Sequence, residues 1–235
     1  MTRTKTQTPT FRTGMITVMD DGLYKLTSWL SPAYPVGAYT YSHGLEAAIA
    51  GGDVSDCGTA KAWISDCLAH GAGRSDAFLL VQAHSASSAG DSAAVGELID
   101  LAKALAPSSE RLLETTAQGT AFADVTQASW GGGGTDAPPY AIAVGVAAAR
   151  HDIAAAMTVE MFLHAYVSNL ISACVRLIPL GQTQGQTVLS ELMSMVRQVA
   201  AEAMQADIDD IGGCAIGSDI ASMRHETQEV RLFRS

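Results

Sequence analysis

Apolar positions recur every three or four residues along most of this chain, and strand-like alternation is nowhere sustained. In the segment 159–177, Phe162, Tyr166, Leu170, Ala173 and Leu177 mark one face of a helix. The next segment repeats the pattern through Val188, Leu192, Met195, Val199 and Ala203, with Glu191 and Glu202 placed elsewhere. Earlier segments read the same way. Asp20 or Asp21 caps a helix through Leu23, Leu26 and Leu30 that Pro32 ends, and a second starts near residues 39–42 and stops at Gly51-Gly52. Caps at 53–56 open a third carrying Trp63, Ile64 and Leu68, and Gly71-Ala72-Gly73 permits a bend before residues 76–87. Further helices are predicted near 93–106 and 109–129, separated by Pro107, with an alanine-rich one from Tyr140. The pattern predicts an all-α, single-domain bundle of about eight to ten helices.

Three stretches fall outside that periodicity. Residues 1–14 are threonine-rich, carry Arg3, Lys5 and Arg12, and lack an apolar core; residues 1–18 are expected to be a flexible tail. The run Trp130-Gly131-Gly132-Gly133-Gly134 before Pro138-Pro139 reads as a surface loop, because a phosphate cradle needs Gly-Lys-Ser/Thr opening a helix. Asp207 to Asp210 and Gly212-Gly213 break the last long helix, so residues 19–206 form the helical domain and 207–235 a terminal segment.

Composition narrows the function classes. A chain of 235 residues, 48% hydrophobic and 16% charged, can bury a sizeable core. A formal charge of −10 with only four lysines argues against a nucleic-acid surface. Cys57, Cys67, Cys174 and Cys214 are scattered without a C-x-x-C pair, and no signal peptide precedes them, which points to reduced thiols in the cytoplasm. Polar residues interrupt the apolar runs after Pro139 and Glu160, so no membrane span is predicted. Nucleophile elbow, dinucleotide fingerprint and zinc-protease helix are all missing, and no enzymatic activity is expected.

The linker after the first helix is the most informative segment: Ser31-Pro32-Ala33-Tyr34-Pro35-Val36-Gly37-Ala38-Tyr39-Thr40-Tyr41-Ser42-His43-Gly44-Leu45-Glu46. Two prolines and two glycines over-determine its path, and its tyrosines supply amphipathic surface. Three further blocks follow in order: Arg111-Leu112-Leu113-Glu114 with Gln118-Gly119; Ile178-Pro179-Leu180-Gly181-Gln182-Thr183-Gln184-Gly185-Gln186; and Arg224-His225-Glu226 with Arg231-Leu232-Phe233-Arg234-Ser235. Together the four resemble the signature of the urease accessory protein F family. The resemblance implies a non-catalytic helical scaffold, dimeric, that helps deliver nickel to apo-urease. It implies contacts with a nickel-carrying GTPase and with urease accessory protein D, no tightly bound cofactor, and nickel only in transit.

Candidate residues carry plainer readings beside that one. His43 and Glu46 sit three apart, a spacing usable for metal or proton transfer on a helix, yet a hydrogen-bonded structural or interface histidine is the better reading. Cys67 and His70 share a face and read as a buried thiol beside a helix end. His225 and Glu226 near the end of the chain favour partner contact over a metal site, for want of a third ligand. Arg111 and Glu114 can pair across one helical turn, worth about 0.2–0.5 kcal/mol if exposed. Thr183 and Gln186 can form a capping box, leaving Gln182, Gln184 and Gly185 either to a structural turn or to a functional surface whose neutral amides line a wet passage or hydrogen-bond a partner. The expected partner-binding set is Tyr39, Tyr41, His43, Glu46, Gln182, Gln184, Arg224, His225, Arg231, Leu232, Phe233 and Arg234. Residues 223–235 are expected to order on a partner, the plainer alternative being permanent packing on their own domain. Two other classes stand beside the scaffold: a self-contained nickel-binding or storage protein, and a helical enzyme using His43, Glu46 or His225 as acid or base.

Overall fold

A computed structural model describes residues 21–132 and 138–235 of the protein. The expected tail and the centre of the glycine loop lie outside the described residues. Within them the chain forms ten α-helices and two short 3-10 turns, with no strand. The helices are α1 Asp21–Trp29, α2 Leu45–Gly51, α3 Cys57–Ala69, α4 Ala72–Ser88 and α5 Ser92–Ala104. They continue as α6 Ser109–Trp130, α7 Tyr140–Arg150, α8 Ala155–Leu177, α9 Gln182–Ala203 and α10 Ile216–His225.

The boundaries follow local chemistry. Asp56 caps α3 reciprocally with Thr59: the Thr59 amide donates to Asp56 Oδ1 at 2.8 Å, and the Asp56 amide to Thr59 Oγ1 at 3.0 Å. Asp91 and Ser108 cap α5 and α6 by accepting from the amides of Ala94 and Arg111, each at 3.0 Å. The start of α9 differs from the sequence expectation. Gly181 is its N-cap, and Gln184 reaches back to accept from the Gly181 amide at 3.0 Å, so Gln184 closes the cap in place of Thr183 and Gln186.

The bundle is organised around α4, α7 and α8. Helix α7 is buried along almost its whole length, and a side chain at Gly145 would collide with the Leu80 carbonyl of α4. Alanine and glycine let these two helices approach more closely than larger side chains permit. The predicted face of α8 is the buried one: Phe162, Tyr166, Leu170 and Ala173 are inside and Leu177 is half-buried. On α9 the buried stripe is Val188, Leu192, Val196, Val199 and Ala203, with Met195 half-buried beside it. Helix α8 is long and apolar enough to cross a membrane by composition, but here it packs between α4 and α9.

An aromatic row ties the linker after α1 into this core. Trp29, Phe122, Tyr140 and Phe162 follow one another at centroid spacings of 5.6–5.8 Å, and Tyr34 joins Phe122 at 5.6 Å. The Tyr34 hydroxyl also bonds Thr126 Oγ1 at 2.9 Å. The linker is therefore anchored at Tyr34 and Val36 before it reaches the site.

Candidate functional site: a buried polar cluster beneath the terminal segment

The chain turns sharply between the aromatic row and α2. Gly37 has φ 73°, a 3-10 turn spans Ala38–Thr40, and Tyr41 is extended. His43 and Gly44 are both left-handed, at φ 54° and 76°. Glycine is required at 44, because a Cβ there would lie 2.6 Å from the Ser222 amide nitrogen of α10. His43 is thus outside α2, and its expected helical partnership with Glu46 does not form. The two side chains serve separate halves of one cluster.

The first half is built on Glu46, Glu110 and His225. His225 is fully buried, with Nδ1 2.6 Å from Glu110 Oε2 and Nε2 3.2 Å from Glu46 Oε2. Both ring nitrogens face carboxylates, and both can donate at once only as imidazolium. Arg231 donates to Glu110 Oε1 at 2.6 Å. Glu46 also accepts from two successive amides, Leu232 at 2.8 Å on Oε1 and Phe233 at 2.9 Å on Oε2. A carboxylate thereby substitutes for the secondary structure that the terminal strap lacks, each charge-assisted bond being worth about 1.5–3 kcal/mol.

The second half surrounds Glu114, one turn further along α6. Glu114 Oε1 accepts from Gln118 Nε2 at 3.0 Å and lies 3.1 Å from His43 Nε2. Glu114 Oε2 accepts from Ser235 Oγ at 3.0 Å and lies 3.6 Å from Arg111. Arg111's shorter ion pair is with Asp76 of α4, at 2.5 Å. Its pairing is therefore buried, unlike the exposed i,i+3 contact considered from sequence. Burial pushes the Asp76 and Glu114 carboxyls above their ordinary range, and Arg111 pulls both back. Burial, reinforced by the nearby Arg111 charge, lowers His43 to about 3, so its imidazole is neutral at pH 7. Two carboxylates in turn raise the Arg111 guanidinium above its usual value, overcoming the opposing effect of burial.

Backbone pairing joins the two halves to the linker. The Ser42 amide and hydroxyl both donate to the backbone oxygen of Ser235 at 2.6 Å, and the Arg234 amide donates to Thr40 O at 2.7 Å. Helix α8 braces the pair from outside: Asn169 donates to Tyr41 O at 3.2 Å, and Arg176 donates to Tyr39 O at 3.0 Å while stacking 4.4 Å over Phe233.

The expected partner-binding residues thus divide by location. Tyr41, Glu46, His225 and Phe233 are buried, and His43 is nearly so, whereas Tyr39 (61%) and Leu232 (77%) are well exposed. Arg224, Arg231 and Arg234 lie at the surface, and Gln182 and Gln184 are exposed at the start of α9, away from the cluster. The terminal segment rests on its own domain in this structure, the plainer of the two arrangements considered. Cys67 is a buried thiol pushed up to about 12 by desolvation. Glu110, Asp76 and Ser222 escaped the sequence reading as site residues, and Ser42 entered it only as part of the linker block. Glu110 alone left a signal, its i,i+4 spacing to Glu114 and Gln118, which puts three polar side chains on one face of α6. Among the described residues, no group of three or more His, Cys, Asp or Glu is arranged to hold a metal ion.

Comparison with known proteins decides the family. A family model described as UreF matches residues 54–193. A protein of Bradyrhizobium diazoefficiens named urease accessory protein UreF is 48% identical over 221 residues, covering 91% of each chain. The chain belongs to the UreF family. A relative of the same name from Cereibacter sphaeroides is 49% identical, covering 92% of this chain and all of its own. Another from a Bradyrhizobium species is 45% identical, covering 99% of this chain. The cluster draws on three of the four sequence blocks that suggested the family: the linker, the Arg111–Gln118 stretch and the terminal motif.

Proposed function

We propose that this protein is a non-catalytic accessory factor in urease maturation. It would work in the cytoplasm as a homodimeric scaffold between a nickel-carrying GTPase, urease accessory protein D and apo-urease. The observation that carries this reading is the 45–49% identity, over nine-tenths or more of the chain, to proteins named urease accessory protein UreF.

The site geometry supports a scaffold. Its polar groups are spent on holding two segments, the linker and the terminal strap, in one fixed arrangement. Tyr39, Leu232 and Arg234 stand exposed where those segments meet. Rigid aromatic and arginine side chains at a preorganised surface suit protein recognition, since little entropy is lost on docking. Nickel is cargo in this scheme, and nucleotide chemistry belongs to the GTPase, for the chain carries no Gly-Lys-Ser/Thr segment.

Reconstitution tests the proposal. Apo-urease, nickel, GTP, the accessory GTPase and accessory protein D are combined with and without this protein. Urease activity should appear only in its presence, and the purified protein alone should hydrolyse no GTP. Equal activation without it would reject the scaffold role.

A further inference from the structure

A cavity of about 470 Å³ lies between α1, the linker, α6, α7 and α8. That is within the usual range of small-molecule sites, roughly 300–1,000 Å³. Leu26, Leu30, Val36, Met161 and Phe162 form much of its wall. One end is different in kind, for Asp76, Arg111, Glu114 and His43 all reach it.

With both carboxyls ionised, the charges at that end do not balance: Asp76 and Glu114 face one guanidinium, Arg111, beside a neutral imidazole, and burial disfavours that doubly ionised state unless a further cation is present. Glu114 is fully engaged, with both oxygens occupied by Gln118, His43, Ser235 and Arg111. Asp76 is not. Its Oδ2 takes Arg111, while Oδ1 accepts no hydrogen bond from a described residue. His43 Nδ1 is also buried without a partner, on a side chain only 10% exposed and held in a left-handed backbone. In the tautomer that places the proton on Nε2, facing an ionised Glu114 at 3.1 Å, the free Nδ1 is an acceptor. Two open acceptors and one surplus negative charge call for a cationic donor.

We propose that this cavity binds a small organic cation, a primary ammonium carrying an apolar body. The ammonium sits against Asp76 and His43, and the body lies along Leu26, Leu30, Met161 and Phe162. A neutral hydroxyl head would leave the surplus charge in place, and a carboxylate head would add to it.

Titration calorimetry of the full chain with n-butyl- to n-octylammonium chloride tests this directly. Affinity should rise about three- to fourfold per methylene until the cavity is filled. Octanol and octanoate should bind at least about tenfold more weakly than octylammonium, the difference one desolvated charge pair makes. Asp76→Asn should lose most of that preference, and Ala165→Phe, on the cavity wall, should weaken all three ligands. The head-group comparison needs only the unmodified protein, so a variant that failed to fold would not blunt the test. Equal affinity for the three heads, no saturable binding at any chain length, or binding of a divalent metal salt without any ammonium binding would each overturn the proposal.

Discussion

The α8–α9 pair and the polar cluster hold the molecule together by opposite means. Between α8 and α9, Leu170, Ile171, Val188 and Leu192 are buried with their neighbours, and stability comes from apolar area removed from water. Such contacts are non-directional and tolerate exchange of one aliphatic side chain for another of similar volume. In the cluster, Glu46, Glu110, Glu114, Arg111 and His225 are buried as ionisable groups, each satisfied by named atoms on other segments. Those contacts are directional and interdependent, so a change of one atom leaves a buried charge without its partner. The first region can drift in sequence and keep its shape. The second fixes one arrangement of linker, α6, α10 and strap.

The sharpest way to break that contrast is Arg111→Ala. Removing the cation strands Asp76 and Glu114 in a buried site and should cost about 3–5 kcal/mol in urea unfolding. Replacing Asp76, Arg111 and Glu114 together by apolar residues of similar volume should recover much of the loss. In the helical pair, Leu170→Met should cost less than about 1.5 kcal/mol. If Arg111→Ala proved as mild as Leu170→Met, the distinction between the two regions would be void.

Glu46→Gln asks whether the strap depends on a carboxylate or merely on a polar group. The amide has one oxygen to offer, while the Leu232 and Phe233 amides now use two. Its NH₂ would face a donor or His225, so about 1–3 kcal/mol should be lost locally. Hydrogen exchange at Leu232 and Phe233 should accelerate by one to two orders of magnitude, about 1.4 kcal/mol per tenfold, with the α8 amides unchanged. Uniform acceleration across both regions would mean that the strap and the bundle unfold together.

The same contrast explains what could be read in the sequence. The bundle was legible because its stabilising residues recur at helical spacing: Phe162, Tyr166 and Leu170 announce their own burial. The cap of α3 was legible within residues 53–56 because capping is local, and the structure assigns it to Asp56 with Thr59 as its reciprocal partner. Glu110 gave only its i,i+4 spacing to Glu114, which does not announce burial, since a glutamate in the first turn of a helix is ordinary surface chemistry. Its partners His225 and Arg231 lie 115 and 121 residues away and meet it only after α10 folds back. The resemblance named most of the segments that converge, but spacing alone placed His43 and Glu46 on one helix. The left-handed backbone at His43 and Gly44 separates them.

The pH dependence of stability tests the cluster more gently. His43 is lowered to about 3, so the unfolded chain binds this proton near pH 6.5 while the folded chain does not. Its contribution to stability is complete above pH 6.5. Below that, about 1.4 kcal/mol should be lost per pH unit, down to the folded value. Asp76 and Glu114, raised by burial, act in the opposite sense, because the folded state takes up their protons more readily as pH falls. Urea midpoints of the wild type and His43→Asn between pH 7 and 5 separate the two. Asparagine tolerates the left-handed backbone, so the variant should keep the fold and lose the acid-sensitive part. Identical pH slopes would remove His43 from the account.

The smallest expected effect concerns the start of α9, where the two means of stabilisation meet at a surface. Gln184 is exposed and accepts from the Gly181 amide, whereas Gln182, two residues earlier, is equally exposed and has no corresponding role in the cap. Gln184→Ala should therefore cost about 0.5–1 kcal/mol, the usual range for a lost helix cap. Gln182→Ala should stay within about 0.5 kcal/mol of wild type, as an exposed substitution that removes no cap or core contact. Assembly with the urease accessory partners supplies the second readout. A structural role for the block predicts that only Gln184→Ala has any effect, in proportion to its lost stability. A partner-facing role predicts that Gln182→Ala weakens assembly while the urea midpoint stays put. Preserved assembly in both variants, with the expected cap loss at Gln184 alone, would restrict this block to ending α8 and starting α9.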